Sequence, residues 1–328
     1  MLQLFRTNSP LAAILVALYA VLLNLQAFLF PQVWEGSSSG LFSQLILDFI
    51  PEKTVWDTIA ALAFIVIQAL LVNALVNRFK ITRNVTYFPA VFYVFAVSVI
   101  KDAVVLSPIL MALTFYIIAL FELFSIYKSR SSMGSIFNVG FWLAIGSLFY
   151  LSIGVYLLLG IMGIAMLIQL RFREIIVLVI GFLTPYLLLC TYFFWVDSLN
   201  SFWTTQILPN YGFLDFDIQN NWRVWVKVIF SGFIIMLSFV NIQGLLSKTK
   251  IQIQKYIWLL FWSIPVAALS IFMQAGVQTE HLIIICVPIS VFLCLHFLNI
   301  RNKPISEFLH LFLLMLYFGF QYWEIILG

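Results

Sequence analysis

The sequence predicts an all-α integral membrane protein, a polytopic bundle of about eleven transmembrane helices with the amino terminus in and the carboxyl terminus out. Three observations predict it. Apolar residues make up 63% of the chain and charged residues 9%, with a mean hydropathy of +1.08, so there are too few charges to cover a soluble surface. The 328 residues are used up by apolar runs of roughly 20 residues and short connections, leaving one transmembrane domain over 1–328 and no separate soluble one. With eleven spans, 13 of the 17 Lys and Arg fall on one side and ten of the 13 Asp and Glu on the other. Short cytoplasmic loops retain basic residues, so this bias fixes both count and orientation.

The first apolar run, about Leu11 to Phe30, follows one Arg and has no small-residue cleavage site, so it reads as a retained span closed by Pro31. A long outer loop, about 31–57, follows. It holds Glu35, Asp48, Glu52, Lys53 and Asp57, and an apolar stretch from Leu41 that is too short to span and is expected in the interface. The Ser37-Ser38-Ser39-Gly40 run reads as a flexible piece of that loop. Span two, about Thr58 to Val76, leads in to Arg78, Lys80 and Arg83; span three, about Tyr87 to Ile100, is short; span four ends at Lys128 and Arg130.

Phe137 to Leu170 is an uncharged run of 34 residues, too long for one span, and Ser152-Ile153-Gly154 is the natural break. A single span would put Arg171 and Arg173 outside, against the positive-inside rule. Span seven, about Ile175 to Trp195, leads to a second long outer loop, about 196–222, carrying Asp197, Asp215 and Asp217 among Trp and Tyr residues that favour the interface. Span eight, about Val224 to Leu246, comes in to Lys248, Lys250 and Lys255, and span nine leads out to Glu280 and His281. Span ten returns at Arg301 and Lys303, and span eleven, about Phe308 to Trp323, leads out to Glu324.

Composition also narrows chemistry. No basic run is long enough for nucleic acid, and the sequence contains no Gly-rich phosphate loop, HExxH or GxSxG. Cys190, Cys286 and Cys294 lie in apolar segments without metal or redox spacing, so no metal ligand set is assigned. Glu122 is the one acid expected within a span, where it acts as a proton relay or pairs with a nearby cation. His296 and His310 read as structural histidines. Span amides such as Asn24, Gln68 and Asn73 either line a polar cavity or join helices by hydrogen bonds. What remains is a set of outer groups: Glu35, Asp48, the Asp215 and Asp217 pair, and Glu280 with His281. A carboxylate at the membrane surface can serve as general base toward an acceptor hydroxyl, and a basic group at a neighbouring span end can hold a lipid-linked phosphate.

Three places give the chain a distant resemblance to membrane-embedded glycosyltransferases of the GT-C class, which use polyprenyl-phosphate sugars. Trp34-Glu35-Gly36 directly after span one resembles that family's first outer loop, although the usual Asp is missing. The Gly-rich paired spans from Gly140 to Leu170, followed by Arg171-Phe172-Arg173 and Gly181-Phe182-Leu183-Thr184-Pro185, are similar to its middle section. Glu280-His281-Leu282 leading to Pro288 is similar to its phosphate-contacting region, with His281 in place of an Arg. In hydropathy layout and Phe-rich, charge-poor style the chain is also similar to an uncharacterised bacterial multi-pass family of unknown function. The resemblance implies a location in the bacterial inner (cytoplasmic) membrane and a polyprenyl-phosphate sugar as ligand at the outer leaflet. It gives Glu35 as base, Asp48, Asp215 and Asp217 as acceptor-side or divalent-cation groups, and Glu280 and His281 as phosphate contacts. Since fold does not imply function, the alternative is a non-catalytic subunit binding a partner membrane protein or lipid.

Overall fold

The computed structural model describes residues 2–6, 9–29, 34, 40–50, 54–100, 105–127, 129, 132–208, 232, 236, 246, 249–271, 279–300 and 302–326. Among these the chain is 85% helical and contains no strand. The helices are α1 (Pro10–Leu23), α2 (Leu25–Leu29), α3 (Leu41–Leu47), α4 (Val55–Arg78), α5 (Phe88–Val99), α6 (Pro108–Ser125), α7 (Met133–Phe149), α8 (Leu157–Leu167), α9 (Phe172–Trp195), α10 (Leu199–Gln206), α11 (Ile251–Ile271), α12 (Ile283–Asn299) and α13 (Lys303–Ile326). Short 3-10 turns cover Leu2–Arg6, Leu151–Tyr156 and Thr279–Leu282.

Five segments are long and apolar enough to cross a membrane, Val55–Arg78, Pro108–Ser125, Phe172–Trp195, Ile251–Ile271 and Glu280–Asn299, which fits a membrane protein. The shorter apolar helices Pro10–Leu23, Phe88–Val99 and Met133–Phe149 and the segment Leu151–Leu167 lie among them. The count of eleven spans goes beyond these five, and the expected span eight falls almost entirely on residues outside those described.

The uncharged 34-residue run is two helices. Helix α7 stops at Phe149, Tyr150 is extended (φ −148°, ψ 105°), and a 3-10 turn feeds α8. The chain reverses there: Gly160 lies against Val139, and Gly163 against Leu123 near the end of α6. Two glycines set the crossing of α7 and α9. A Cβ on Gly140 would collide with the Leu178 carbonyl oxygen, and one on Gly181 with that of Phe137. Small residues at such crossings let backbones touch, and packing of this kind holds helices together where lipid removes the hydrophobic drive.

Helices α5 and α12 form the centre. Every residue from Phe88 to Ser98 is buried, and Phe92 meets Phe297 of α12 at 4.6 Å between ring centroids. A helix apolar on all sides belongs inside a bundle. Span amides tie the surrounding helices to this centre. The Asn24 amide donates to Ser98 Oγ at 3.0 Å, and Gln68 accepts from Tyr93 and donates to Thr114 and the Leu110 carbonyl. Of the two roles open to span amides, these two residues take helix joining. Glu122 accepts from Asn138 on α7 at 3.3 Å. Helix α9 lies at the edge, with Leu187, Leu188, Phe194 and Trp195 among its exposed side chains.

Candidate functional site

A network of polar contacts joins six parts of the chain at the end of the bundle where α7 stops. A helix ending there leaves carbonyls without intrahelical partners, and one starting there leaves N–H groups. The chain pairs the two sets. Gly40 N–H donates to the Phe149 carbonyl at 3.0 Å, and the Ser43 hydroxyl lies 2.7 Å from the Gly40 carbonyl and 3.2 Å from that of Phe149. Leu41 N–H at the start of α3 donates to Gln206 Oε1 at 2.8 Å. The amide nitrogen of the same Gln206 donates to the Ser147 carbonyl at 3.0 Å. One fully buried side chain on α10 thus caps two helices at once.

Gly40 is the contact point. A Cβ there would run into the carbonyl oxygens of Leu148 and Phe149. The expectation that Gly40 is part of a flexible piece is therefore corrected: with no Cβ, its backbone lies flat on the end of α7 and anchors α3. Nearby, the hydroxyls of Ser147 and Tyr186 on α9 are 2.7 Å apart.

His281 joins this end to α11. Its ring is 2% exposed, with Nδ1 3.0 Å from the Tyr150 hydroxyl and Nε2 2.8 Å from Ser270 Oγ. Ser270 donates its proton to the Ala267 carbonyl at 2.7 Å, so toward His281 its oxygen accepts. Nε2 therefore carries the proton, and Nδ1 takes the proton of the Tyr150 hydroxyl. Next to it, Glu280 Oε2 accepts from the Trp34 indole N–H at 2.9 Å, a bond between residues 246 apart in sequence.

Of the residues singled out from sequence, Glu280 and His281 stand side by side here, and Trp34, which precedes Glu35, reaches Glu280. Asp48 is exposed at the far end of α3. Glu35, Asp215 and Asp217 lie outside the described residues. Among the described residues no group of three or more His, Cys, Asp or Glu is arranged to hold a metal ion. Sequence reasoning missed Tyr150, Ser147, Tyr186, Gln206 and Ser270. Each is a neutral polar residue in or beside an apolar run, and only the fold reveals its partner.

No family model, curated protein or solved structure matches the chain.

Proposed function

We propose that the chain is a GT-C-like multi-pass protein of the bacterial inner (cytoplasmic) membrane, with about eleven spans, that handles a polyprenyl-phosphate-linked sugar at the outer leaflet. The observation that supports this reading is the Trp34 to Glu280 hydrogen bond, which draws the first outer loop to the 279–282 turn. These are the loop carrying the proposed base and the turn proposed to face the phosphate. Glu35 would take the proton of an acceptor hydroxyl as it attacks the sugar's anomeric carbon, and the lipid phosphate would leave. Asp48, Asp215 and Asp217 would shape the acceptor side or hold a divalent cation. Glu280 and His281 would line the phosphate side, where a divalent cation held by the Glu280 carboxylate would offset the charge of the anion.

The test is transfer from a radiolabelled polyprenyl-phosphate sugar in membranes containing the protein. Glu35→Gln is expected to lower transfer at least a hundredfold, the lower range for loss of a general base, with the protein still folded. Full transfer by that variant would remove Glu35 from its role.

A second reading, a non-catalytic subunit that binds a partner membrane protein or lipid, draws on the exposed apolar flank of α9. In that case Glu35→Gln is silent, and substitutions of the exposed aromatics Trp195 or Trp203 release the partner.

A further inference from the structure

We infer that His281 acts as a positioning residue: locked between Tyr150 and Ser270, it fixes the 279–282 turn so that Glu280 holds Trp34 and the start of the first outer loop. The inference deepens the proposed reading of this end of the bundle and rests on it for its functional meaning. The geometry on which it stands does not depend on that reading.

Both ring nitrogens of His281 are engaged inside the fold, and the direction of the Ser270 hydroxyl assigns each a role. The Nε2 proton points at Ser270 Oγ, and the Nδ1 lone pair faces the Tyr150 hydroxyl. The ring is left with no donor for an external anion. What it does have is mechanical attachments: Tyr150 directly after α7, Ser270 and the Ala267 backbone on α11, and its own turn. Tyr150 follows Phe149, whose carbonyl receives Gly40. The first outer loop is thus held on both sides of 35–39, at Trp34 through Glu280 and at Gly40 through Phe149, and His281 connects the two anchors. Neutral, directional hydrogen bonds suit this task, since a turn held at two ring nitrogens cannot rotate about either bond alone.

A double-mutant cycle read by thermal melting of the full chain in nanodiscs tests this. Trp34→Phe removes the indole donor, and Ser270→Ala removes one side of the lock while keeping the residue small. The expected result is that the two losses do not add: once Ser270 is changed, Trp34→Phe lowers the melting temperature little further. Tyr150→Phe paired with Trp34→Phe should behave in the same way. Asn24→Ala, at the α1 to α5 contact, should add fully to Trp34→Phe. Full additivity of Trp34→Phe with both Ser270→Ala and Tyr150→Phe would overturn the inference.

A second arm separates positioning from anion contact. His281→Lys supplies a cation in place of the ring. Reduced retention of polyprenyl phosphate by this variant supports positioning, and retention at or above the unsubstituted level overturns it. If the unsubstituted protein retains no such lipid, the proposed function fails while the melting cycle still decides the role of His281.

Discussion

Where α4, α6 and α11 meet, Tyr256 stacks on Phe124 at 4.4 Å, Phe79 packs edge-on to both, and Lys255 lies 5.5 Å from the Tyr127 ring centre. Arg6 covers Phe88 at the start of the neighbouring α5 in the same manner, at 5.6 Å. Where α7 stops, by contrast, contacts run through amides, hydroxyls, an imidazole and an indole, each with a defined donor and acceptor. Ring and cation contacts have broad minima and tolerate small slips. Buried hydrogen bonds do not, because a displaced donor in a low-dielectric interior is left unpaired. The first end holds helices together; the second holds particular atoms in particular places, which is the requirement of a site.

Substitutions can break this contrast, and the largest effect is expected at Gln206. Gln206→Ala orphans the Leu41 N–H and the Ser147 carbonyl together, at about 1–3 kcal/mol for each buried group. Chemical melting in detergent should show the loss, and a change within scatter would mean that α3 is not held as described. Gly40→Ala comes next, because its Cβ must displace backbone carbonyls; overpacking of that kind costs about 1–3 kcal/mol. Protease access to the α3 segment should rise in membranes carrying this variant. Tyr256→Phe, at the aromatic end, removes the bond donated to the Phe124 carbonyl and the one accepted from Gln252 and keeps the stacking, for about 1–2 kcal/mol. Lys255→Met should have the smallest effect, about 0.5–1 kcal/mol, the lower range for a cation over a ring. If Lys255→Met destabilised more than Gln206→Ala, the contrast between the ends would be inverted.

The all-helical class was legible because apolar run length and interruption are local properties. Ser152-Ile153-Gly154 marked the break in the uncharged run, and the structure puts the 3-10 turn there. Asn24 and Gln68 were legible as polar residues in apolar surroundings, though not which helices they join. The network at the end of α7 was only half legible. Glu280 and His281 stood out as ionisable residues, while Gln206 was indistinguishable from any amide near a span end, since its partners lie 165 and 59 residues away. Gly40 was misread because glycine beside serines has the composition of a flexible loop, and close packing against another helix end leaves no trace in composition. His310 fits its structural assignment in part: Nε2 meets the Tyr19 hydroxyl at 3.2 Å, while Nδ1 is buried without a partner.

We propose that the end of the bundle where α7 stops holds a lipid-linked phosphate. Native mass spectrometry of the protein released from its own membrane tests it most directly, by identifying what stays bound. The account predicts a polyprenyl phosphate at near-unit stoichiometry that is depleted in Trp34→Phe and Ser270→Ala and retained in Lys255→Met. Only bulk phospholipid, or a stoichiometric protein partner with no polyprenyl phosphate, would contradict it.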